Sequence, residues 1–411
     1  MNLIRPSYEI IEQAPGLQGI YDIIEIAGKT SYKSPVKGGA EAKKFVDWRT
    51  KEKHGAVLEF GTVYLKVEIF QGEKIDPYQE KWNVVDFYEK NKFSVVNRYE
   101  KETDYSGPSG ATISGKVMTF YITTNYRVIV ENGREKDLEL YLCDTPEIGT
   151  FTEPKHERRY CVRFILDRFT GEEFLRHRVF SFCRESTRYC NYSMEKFDNN
   201  ITFIIPPWIP STVLAEGKNV SWWDGDWVDM KDLSIVKYGG RDKDGKTKLD
   251  RIDIWLSALM DCESSYMTLT RYWEGEDVPE EERKQWQPQY ARTLLPCAIK
   301  SPLVMCGFAH DFYHWFHLRA LGTTGAPHPQ AKELAEPLMK EFIERGYISR
   351  EKLYESSGKY RRVRLPHNPE RGEFLAFNES LGKWYDFVED KVYDEGLVEF
   401  LDEDNNNEGS K

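Results

Sequence analysis

The chain has 411 residues and a net charge of −11, with a sequence pI of about 5.5. This length allows one elaborated domain or two domains. The acidic balance argues against broad nucleic-acid binding. No apolar run is long enough to predict a helix that crosses a membrane. The N-terminus lacks the pattern of a secretory signal, and seven scattered cysteines without a CxxC pair fit a reducing cytoplasm and argue against a zinc ribbon or a disulfide framework.

Helix and strand patterns alternate in the first half of the chain. Residues 37–53 are predicted to form a helix, and 61–70, GTVYLKVEIF, to form a strand. The turn-rich segment 72–155, which contains the alternating run MTFYITTNYRVIV at 118–130, is predicted to be an antiparallel β insertion. Another strand is predicted at 201–208, ITFIIPPW.

The second half has mostly helical patterns. Residues 251–275 and 280–346 are predicted to be helical, and 331–346 has the apolar face and terminal glycine of an amphipathic helix. The segment KWYDFVEDKVYDEGLVEFL at 383–401 is also predicted to be helical. The acidic tail 402–411 is predicted to be disordered.

The stretch RHRVFSFCRESTRY at 176–189 has five basic residues, three serine or threonine hydroxyls and a thiol. In an extended chain, alternation would place Arg176 and Arg178 on one side, with Ser186 and Arg188 sharing another. Guanidinium groups bind phosphate through two parallel charge-assisted bonds, and a nearby hydroxyl adds a neutral donor. The pattern is therefore compatible with a nucleotide monophosphate pocket, or with a strand that has a solvated basic face.

This stretch also resembles the signature of the flavin-dependent thymidylate synthases, which is RHR, seven residues and then serine. The match consists of residues 176–178, Ser186 and the following Arg188 and Tyr189. At the two positions where the family commonly has Asn-Glu, this chain has Cys183 and Arg184.

A second block, KEKHGAVLEF, is similar to the family segment H-x-T-P-F-E-H. His54 and Glu59 match its first histidine and its glutamate, whereas Ala56 replaces the hydroxyl residue and Phe60 the last histidine. By itself, His54 is also typical of a polar helix end.

A third block lies downstream, where the family has an AR-x3-P segment, an arginine that ends a helix, and HPQ before another helix. Gln289 replaces a frequent glutamate of this block, and the family often has Asn and Arg where this chain has His310 and His314. The residues that match are Ala291, Arg292, Pro296, Arg319, His328, Pro329 and Gln330.

We predict an α+β fold with a central β-rich core and flanking helices, similar to that family. Residues 1–71 are assigned to the N-terminal part of the catalytic domain and 72–155 to the β insertion. Residues 156–346 form the remainder of the catalytic domain, and 347–411 form a C-terminal extension.

The resemblance implies conversion of dUMP to dTMP, with methylenetetrahydrofolate and NADPH as co-substrates and hydride delivered by reduced FAD. It also implies a homotetramer with active sites at subunit interfaces. Arg319 is the implied catalytic residue, because a fixed positive charge beside the uracil stabilises its anion.

The resemblance also implies binding roles for the matching residues and their neighbours. The implied dUMP-binding residues are Glu173, Arg176, Arg184, Glu185, Ser186, Thr187, Arg188, Arg292 and Arg319. The implied FAD-binding residues are His54, Glu59, Arg176, His177, Arg178, Arg184, Phe308, His310, His314 and Gln330. No metal is implied.

Other functions remain open at this point. A related enzyme would transfer a different one-carbon unit, such as hydroxymethyl, to dUMP or dCMP. His310, His314 and His317 share one helical face and would suit a metal-dependent hydrolase. A non-catalytic nucleotide-binding protein would use the same basic pocket. Cys183 among cations is compatible with a nucleophile or with a packed thiol.

Overall fold

A computed structural model describes residues 1–71, 76–106, 112–149, 155–240, 243–244, 246, 248–274 and 279–357, together with strands between 360 and 400. The chain divides into two compact units, Met1–Phe308 and Ala309–Lys411. In the described part of the chain, no helix combines the length and the apolar character that crossing a membrane requires.

The first unit mixes helices and strands along its whole length. Its helices are α1 Gly16–Thr30, α2 Gly39–Lys51, α3 Asp76–Lys90, α4 Tyr126–Glu131, α5 Glu135–Tyr141, α6 Arg168–Phe174, α7 Arg251–Glu274, α8 Glu280–Gln285 and α9 Pro288–Ala291. Its strands are β1 Asn2–Ile4, β2 Ser7–Ile11, β3 Thr62–Gln71, β4 Val95–Ser106, β5 Thr112–Asn125, β6 Arg159–Asp167, β7 Ser181–Arg184, β8 Thr202–Ile204, β9 Lys218–Trp223, β10 Asp226–Asp229, β11 Ile235–Lys237 and β12 Lys300–Phe308. Short 3₁₀ helices occupy Gly55–Phe60, Glu195–Phe197 and Arg292–Leu294.

An antiparallel sheet with the order β2-β6-β12-β7 contains part of the signature stretch. Strand β12 lies between β6 and β7, and Val304 on β12 faces Cys183 on β7. The helical prediction for 280–346 is wrong at Lys300–Phe308. The reason is that a short apolar run such as PLVMCGF has no period that separates a buried strand from a buried helix.

The N-terminal helices and the sheet β3-β5-β4 share one apolar core. Ile24 of α1, Val46 of α2 and Leu65 of β3 are fully buried in it. The predicted helix at 37–53 and the predicted strand at 61–70 are confirmed by α2 and β3. Burial of these apolar faces stabilises the unit.

The segment 72–155 contains the predicted antiparallel strands but also three helices, α3, α4 and α5, among its described residues. The predicted strand at 118–130 ends at Asn125, whose side-chain oxygen accepts a hydrogen bond of 3.1 Å from the amide of Val128 and caps α4. The strand prediction is wrong beyond Asn125 because this local cap starts a helix within an alternating run.

A further sheet has the order β11-β10-β9-β1-β8 and packs with α7. The buried Trp227 donates a hydrogen bond of 2.9 Å to Asp253 of α7, and Lys237 forms an ion pair of 2.6 Å with the same carboxylate. The helix predicted at 251–275 is confirmed by α7, whereas the strand predicted at 201–208 extends only over Thr202–Ile204.

The second unit begins with helices and continues with strands: α10 Ala309–Arg319, α11 Pro329–Glu344, α12 Arg350–Ser356, β13 Tyr360–Leu365, β14 Asn368–Asn378, β15 Lys383–Asp386, β16 Lys391–Asp394 and β17 Glu399–Phe400. Helix α11 confirms the helix predicted at 331–346, and Gly346 follows it with a φ of 67°. The helical prediction for 383–401 is wrong, because Trp384 pairs with Tyr393 in a β ladder. The predicted disordered tail, 402–411, lies outside the described residues.

Candidate active site

The signature stretch combines turns with one short strand. Asp167 caps α6 by accepting a hydrogen bond of 2.9 Å from the amide of Thr170, and turns then lead to β7. Only Ser181–Arg184 is extended. The side-chain alternation inferred for Arg176 and Arg178 therefore does not apply, because both lie outside the strand.

Ser186 lies in a tight turn that is joined to the end of α1. The amide of Arg188 donates a hydrogen bond of 3.3 Å to Ser186 Oγ, and the amide of Ser186 donates one of 2.9 Å to the carbonyl of Ser31. Tyr189 packs against Tyr32 with ring centroids 5.1 Å apart. A backbone hydrogen bond and a ring contact therefore fix the signature turn against the residues that follow α1.

Two arginines from distant parts of the chain meet at Thr187. Its hydroxyl accepts hydrogen bonds from Arg168 Nη1 at 3.3 Å and Arg292 Nη1 at 3.5 Å, and the residue is 9% exposed. Arg188 is next in sequence and is exposed. Guanidinium groups beside a hydroxyl form a suitable donor set for a phosphate monoester. The sequence analysis identified Arg292 but missed Arg168, whose only signal is its position after a helix-capping aspartate.

Arg184, which stands where the family commonly has a carboxylate residue, is paired with an acidic side chain. Its Nη1 lies 2.9 Å from Glu172 Oε1, and Arg168 Nε lies 3.9 Å from the same oxygen. This chain thus has a carboxylate near Arg168, but it comes from Glu172 and not from position 184. Of the other signature residues, Arg176 and Arg178 are exposed, and His177 is buried.

Cys183 is a packed thiol next to the end of α1. Its Sγ lies 3.0 Å from Ser31 Oγ, and burial raises the pKa of the thiol above its usual value. A raised pKa lowers the thiolate fraction at neutral pH, so the structure favours the packed thiol over the nucleophile.

Glu185 faces the interior and is 5% exposed. It accepts a hydrogen bond of 3.0 Å from the hydroxyl of Tyr192. Burial raises the pKa of Glu185, and this effect exceeds the opposing influence of the Lys300 and Lys33 charges. Its carboxylate therefore lies within the protein rather than among the exposed arginines.

We expect Glu185→Gln to make the protein more stable at pH 7 to 8, on the order of 1 kcal/mol. Because the pKa of Glu185 is higher in the folded than in the unfolded chain, the ionised carboxylate lowers the free energy of unfolding at pH values above its folded pKa. That cost disappears as the pH falls towards the usual value of 4.5. Urea unfolding at several pH values should show the advantage of the variant shrinking towards pH 5. The exposed Glu195→Gln is the control, and an advantage that does not depend on pH would contradict this assignment.

A cavity of about 400 Å³ lies beside this turn, between the ends of α1 and α2. The side chains and backbone that line it include Tyr32, Arg49, Lys53, His54 and Arg127. Glu59 does not line the cavity, but it forms an ion pair of 2.6 Å with Arg127. The structure thus brings the predicted flavin residue His54 close to Ser31 and Tyr32, which contact the signature turn.

The chemistry of this cavity fits part of an anionic, aromatic cofactor such as FAD. The lining provides basic groups and an aromatic ring, and Arg49 Nε is a buried donor without a hydrogen-bond partner. Phe308, another predicted flavin residue of the first unit, ends β12 and lies under the guanidinium of Arg159, 5.4 Å from its ring centroid.

The remaining predicted residues belong to the second unit. Helix α10 ends at Arg319, which is partly buried, and carries His310 and His314 as exposed residues. Gln330 is the second residue of α11. His317 is buried, and its Nε2 lies 2.7 Å from the carbonyl oxygen of Leu353. Within the described ranges, no group of three or more His, Cys, Asp or Glu residues is arranged to hold a metal ion.

Residues 158–345 match the model of a protein family described as thymidylate synthase complementing protein. This part of the chain is similar to that family. The part of this chain that matches includes the whole signature stretch, Arg292 and Arg319. His54, Glu59 and the segment 72–155 lie outside the match.

Two solved structures of a UMP/dUMP methylase, PolB from Streptomyces cacaoi, resemble the chain at low similarity. The complex of PolB with 5-Br dUMP is 12% identical, with a TM-score of 0.31 and coverage of 84% of this chain and 93% of that one. The complex with 5-Br UMP is 13% identical, with a TM-score of 0.31 and coverage of 84% and 92%. The search of curated proteins gave no match.

Proposed function

We propose that the protein is a flavin-dependent one-carbon transferase that methylates dUMP to dTMP, with methylenetetrahydrofolate and NADPH as co-substrates. The observation that carries this proposal is the family match over 158–345, which includes the RHR signature, Ser186 and Arg319. The meeting of Arg168 and Arg292 at Thr187 gives the proposal a physical basis, since it gathers phosphate donors at the signature turn.

In this proposal, the signature turn binds the phosphate of dUMP. Arg188 is exposed, and its amide fixes the orientation of Ser186 Oγ. Arg168 and Arg292 both donate hydrogen bonds to the hydroxyl of Thr187. Charge-assisted hydrogen bonds from this group would orient the nucleotide without any covalent attachment.

Arg319 acts on the pyrimidine in this scheme. A positively charged guanidinium beside the ring would stabilise the uracil anion formed when N3 loses its proton. The anionic ring is more nucleophilic at C5, which is the atom that receives the one-carbon unit. FAD, when bound, supplies the hydride chemistry. We propose that four copies of the chain assemble and complete each other's sites.

We assign the other predicted ligand contacts to the two binding regions. Glu173, Arg176 and Arg184 would lie around the nucleotide, whereas the buried Glu185, which bonds to Tyr192, would not contact it. His54, Glu59, His177, Arg178, Phe308, His310, His314 and Gln330 would lie around FAD.

The purified protein tests the cofactor and the substrate separately. We expect a yellow protein with a flavin spectrum and tritium release from dUMP labelled at C5. Reaction with dCMP instead of dUMP would change the substrate but keep the reaction class. A colourless protein that neither binds added FAD nor releases tritium would contradict the proposal.

A further inference from the structure

Arg49 is a buried cation without an anionic partner in the described part of the chain. The residue is 7% exposed, and its Nε donates to no acceptor. No carboxylate pairs with it among the described residues. Buried charges are normally paired because desolvation of an isolated charge is costly. The guanidinium therefore calls for a ligand that supplies negative charge.

Aromatic rings surround the guanidinium. Its central carbon lies 4.0 Å from the ring centroid of Trp48, 5.0 Å from that of Phe45 and 5.7 Å from that of Tyr32. Such cation–π contacts offset part of the desolvation and hold the group in place. They leave the buried Nε of the planar guanidinium without an acceptor.

The other arginine that lines the cavity is already paired with carboxylates. Arg127 pairs with Glu59 at 2.6 Å and with Glu131 at 2.8 Å. Arg49 differs from it because it lines the same cavity with no such partner. Lys53 and His54 add basic groups next to it. The cavity thus has a positive region that begins at Arg49.

We propose that Arg49 binds a phosphate group of the ligand that occupies this cavity. Phosphate fits better than a diffuse anion because a guanidinium fork binds two of its oxygens in parallel. The inference rests on the proposed function for the source of the phosphate, which is then the diphosphate of FAD. The phosphate of dUMP is the other source, and the experiment distinguishes the two.

The test measures the affinity of the purified full chain for FAD, riboflavin, dUMP and inorganic pyrophosphate by calorimetry. The variants are Arg49→Met and Arg49→Lys, and the matched control is Lys51→Met, which alters an exposed cation on the same helix. We expect Arg49→Met to weaken FAD binding about tenfold or more. Riboflavin lacks phosphate, so its affinity should change less than about twofold, and Lys51→Met should bind like the wild type.

Several outcomes separate this proposal from the proposed function. Equal affinity of wild type and Arg49→Met for all phosphate ligands would overturn it. Weakened dUMP binding with unchanged FAD binding would support a phosphate site at Arg49. It would also show that the bound phosphate belongs to dUMP rather than to FAD. Loss of pyrophosphate binding in Arg49→Met, in a protein that binds no flavin, would support the anion site while the proposed function fails.

Stability gives a second readout. If Arg49 serves a ligand, the ligand-free Arg49→Met variant should melt at the same temperature as the wild type or higher, because a buried unpaired charge has been removed. A lower Tm together with unchanged ligand affinity would assign Arg49 a purely structural role and overturn the proposal.

Discussion

Replacement of Arg319 by alanine is expected to lower dUMP turnover by about 10²–10³-fold while the protein still binds flavin and nucleotide. Loss of one preorganised donor beside a developing anion typically has an effect of this size. In our proposal Arg319 interacts most strongly with the deprotonated uracil, so its removal should act on kcat more than on KM. The measurement is single-turnover tritium release from dUMP labelled at C5, together with the flavin absorbance spectrum.

The control for this variant is Arg345→Ala. Arg345 is an exposed residue at the end of α11 that pairs with Glu341. It should turn over dUMP like the wild type. Normal turnover in Arg319→Ala would remove Arg319 from the reaction. Loss of flavin and nucleotide binding along with turnover would indicate damage to the fold instead.

Replacement of Arg292 by alanine is expected to weaken dUMP binding by about 10–150-fold, which corresponds to the roughly 1.5–3 kcal/mol of a charge-assisted hydrogen bond. Arg292 reaches Thr187 from a segment 105 positions away in sequence, so its guanidinium is available at the turn where we place the phosphate. Equilibrium binding of dUMP to the purified protein measures the effect.

Two comparisons make the Arg292 result specific. The exposed Arg251→Ala, at the first turn of α7, should leave the dUMP affinity unchanged. Deoxyuridine, which lacks the phosphate, should bind Arg292→Ala and the wild type alike. A variant that loses affinity for both nucleotide and nucleoside would place Arg292 at the base rather than at the phosphate.

The sequence predicts an element well where its period is unambiguous. Helix α11 has an apolar face and a following glycine, and α2 ends before a glycine, so both were predictable. Strand β12 was not, because its apolar run fits a buried helix equally well. The segment 383–401 has acidic and aromatic residues at spacings that suit a helix or a strand, and pairing with neighbouring strands decides it.

The sequence identifies the candidate site residues that belong to the family motifs, but not the residues that pack next to them. The family pattern identifies Ser186, Arg188 and Arg292 without structural information. Arg168 and Arg49 were missed because neither residue belongs to the motifs that match the family. Their importance depends on tertiary neighbours, the Thr187 hydroxyl in one case and the ring of Tyr32 in the other. No local sequence pattern contains that information.

The hydrogen bond between the amide of Ser186 and the carbonyl of Ser31 joins the signature turn to the wall of the cavity beside it. A displacement at the end of α1 would therefore alter both regions together. Mutations selected for tighter binding in one region should change affinity in the other, and any such coupling must be reciprocal in free energy. Efforts to redesign the nucleotide preference would have to preserve this backbone connection.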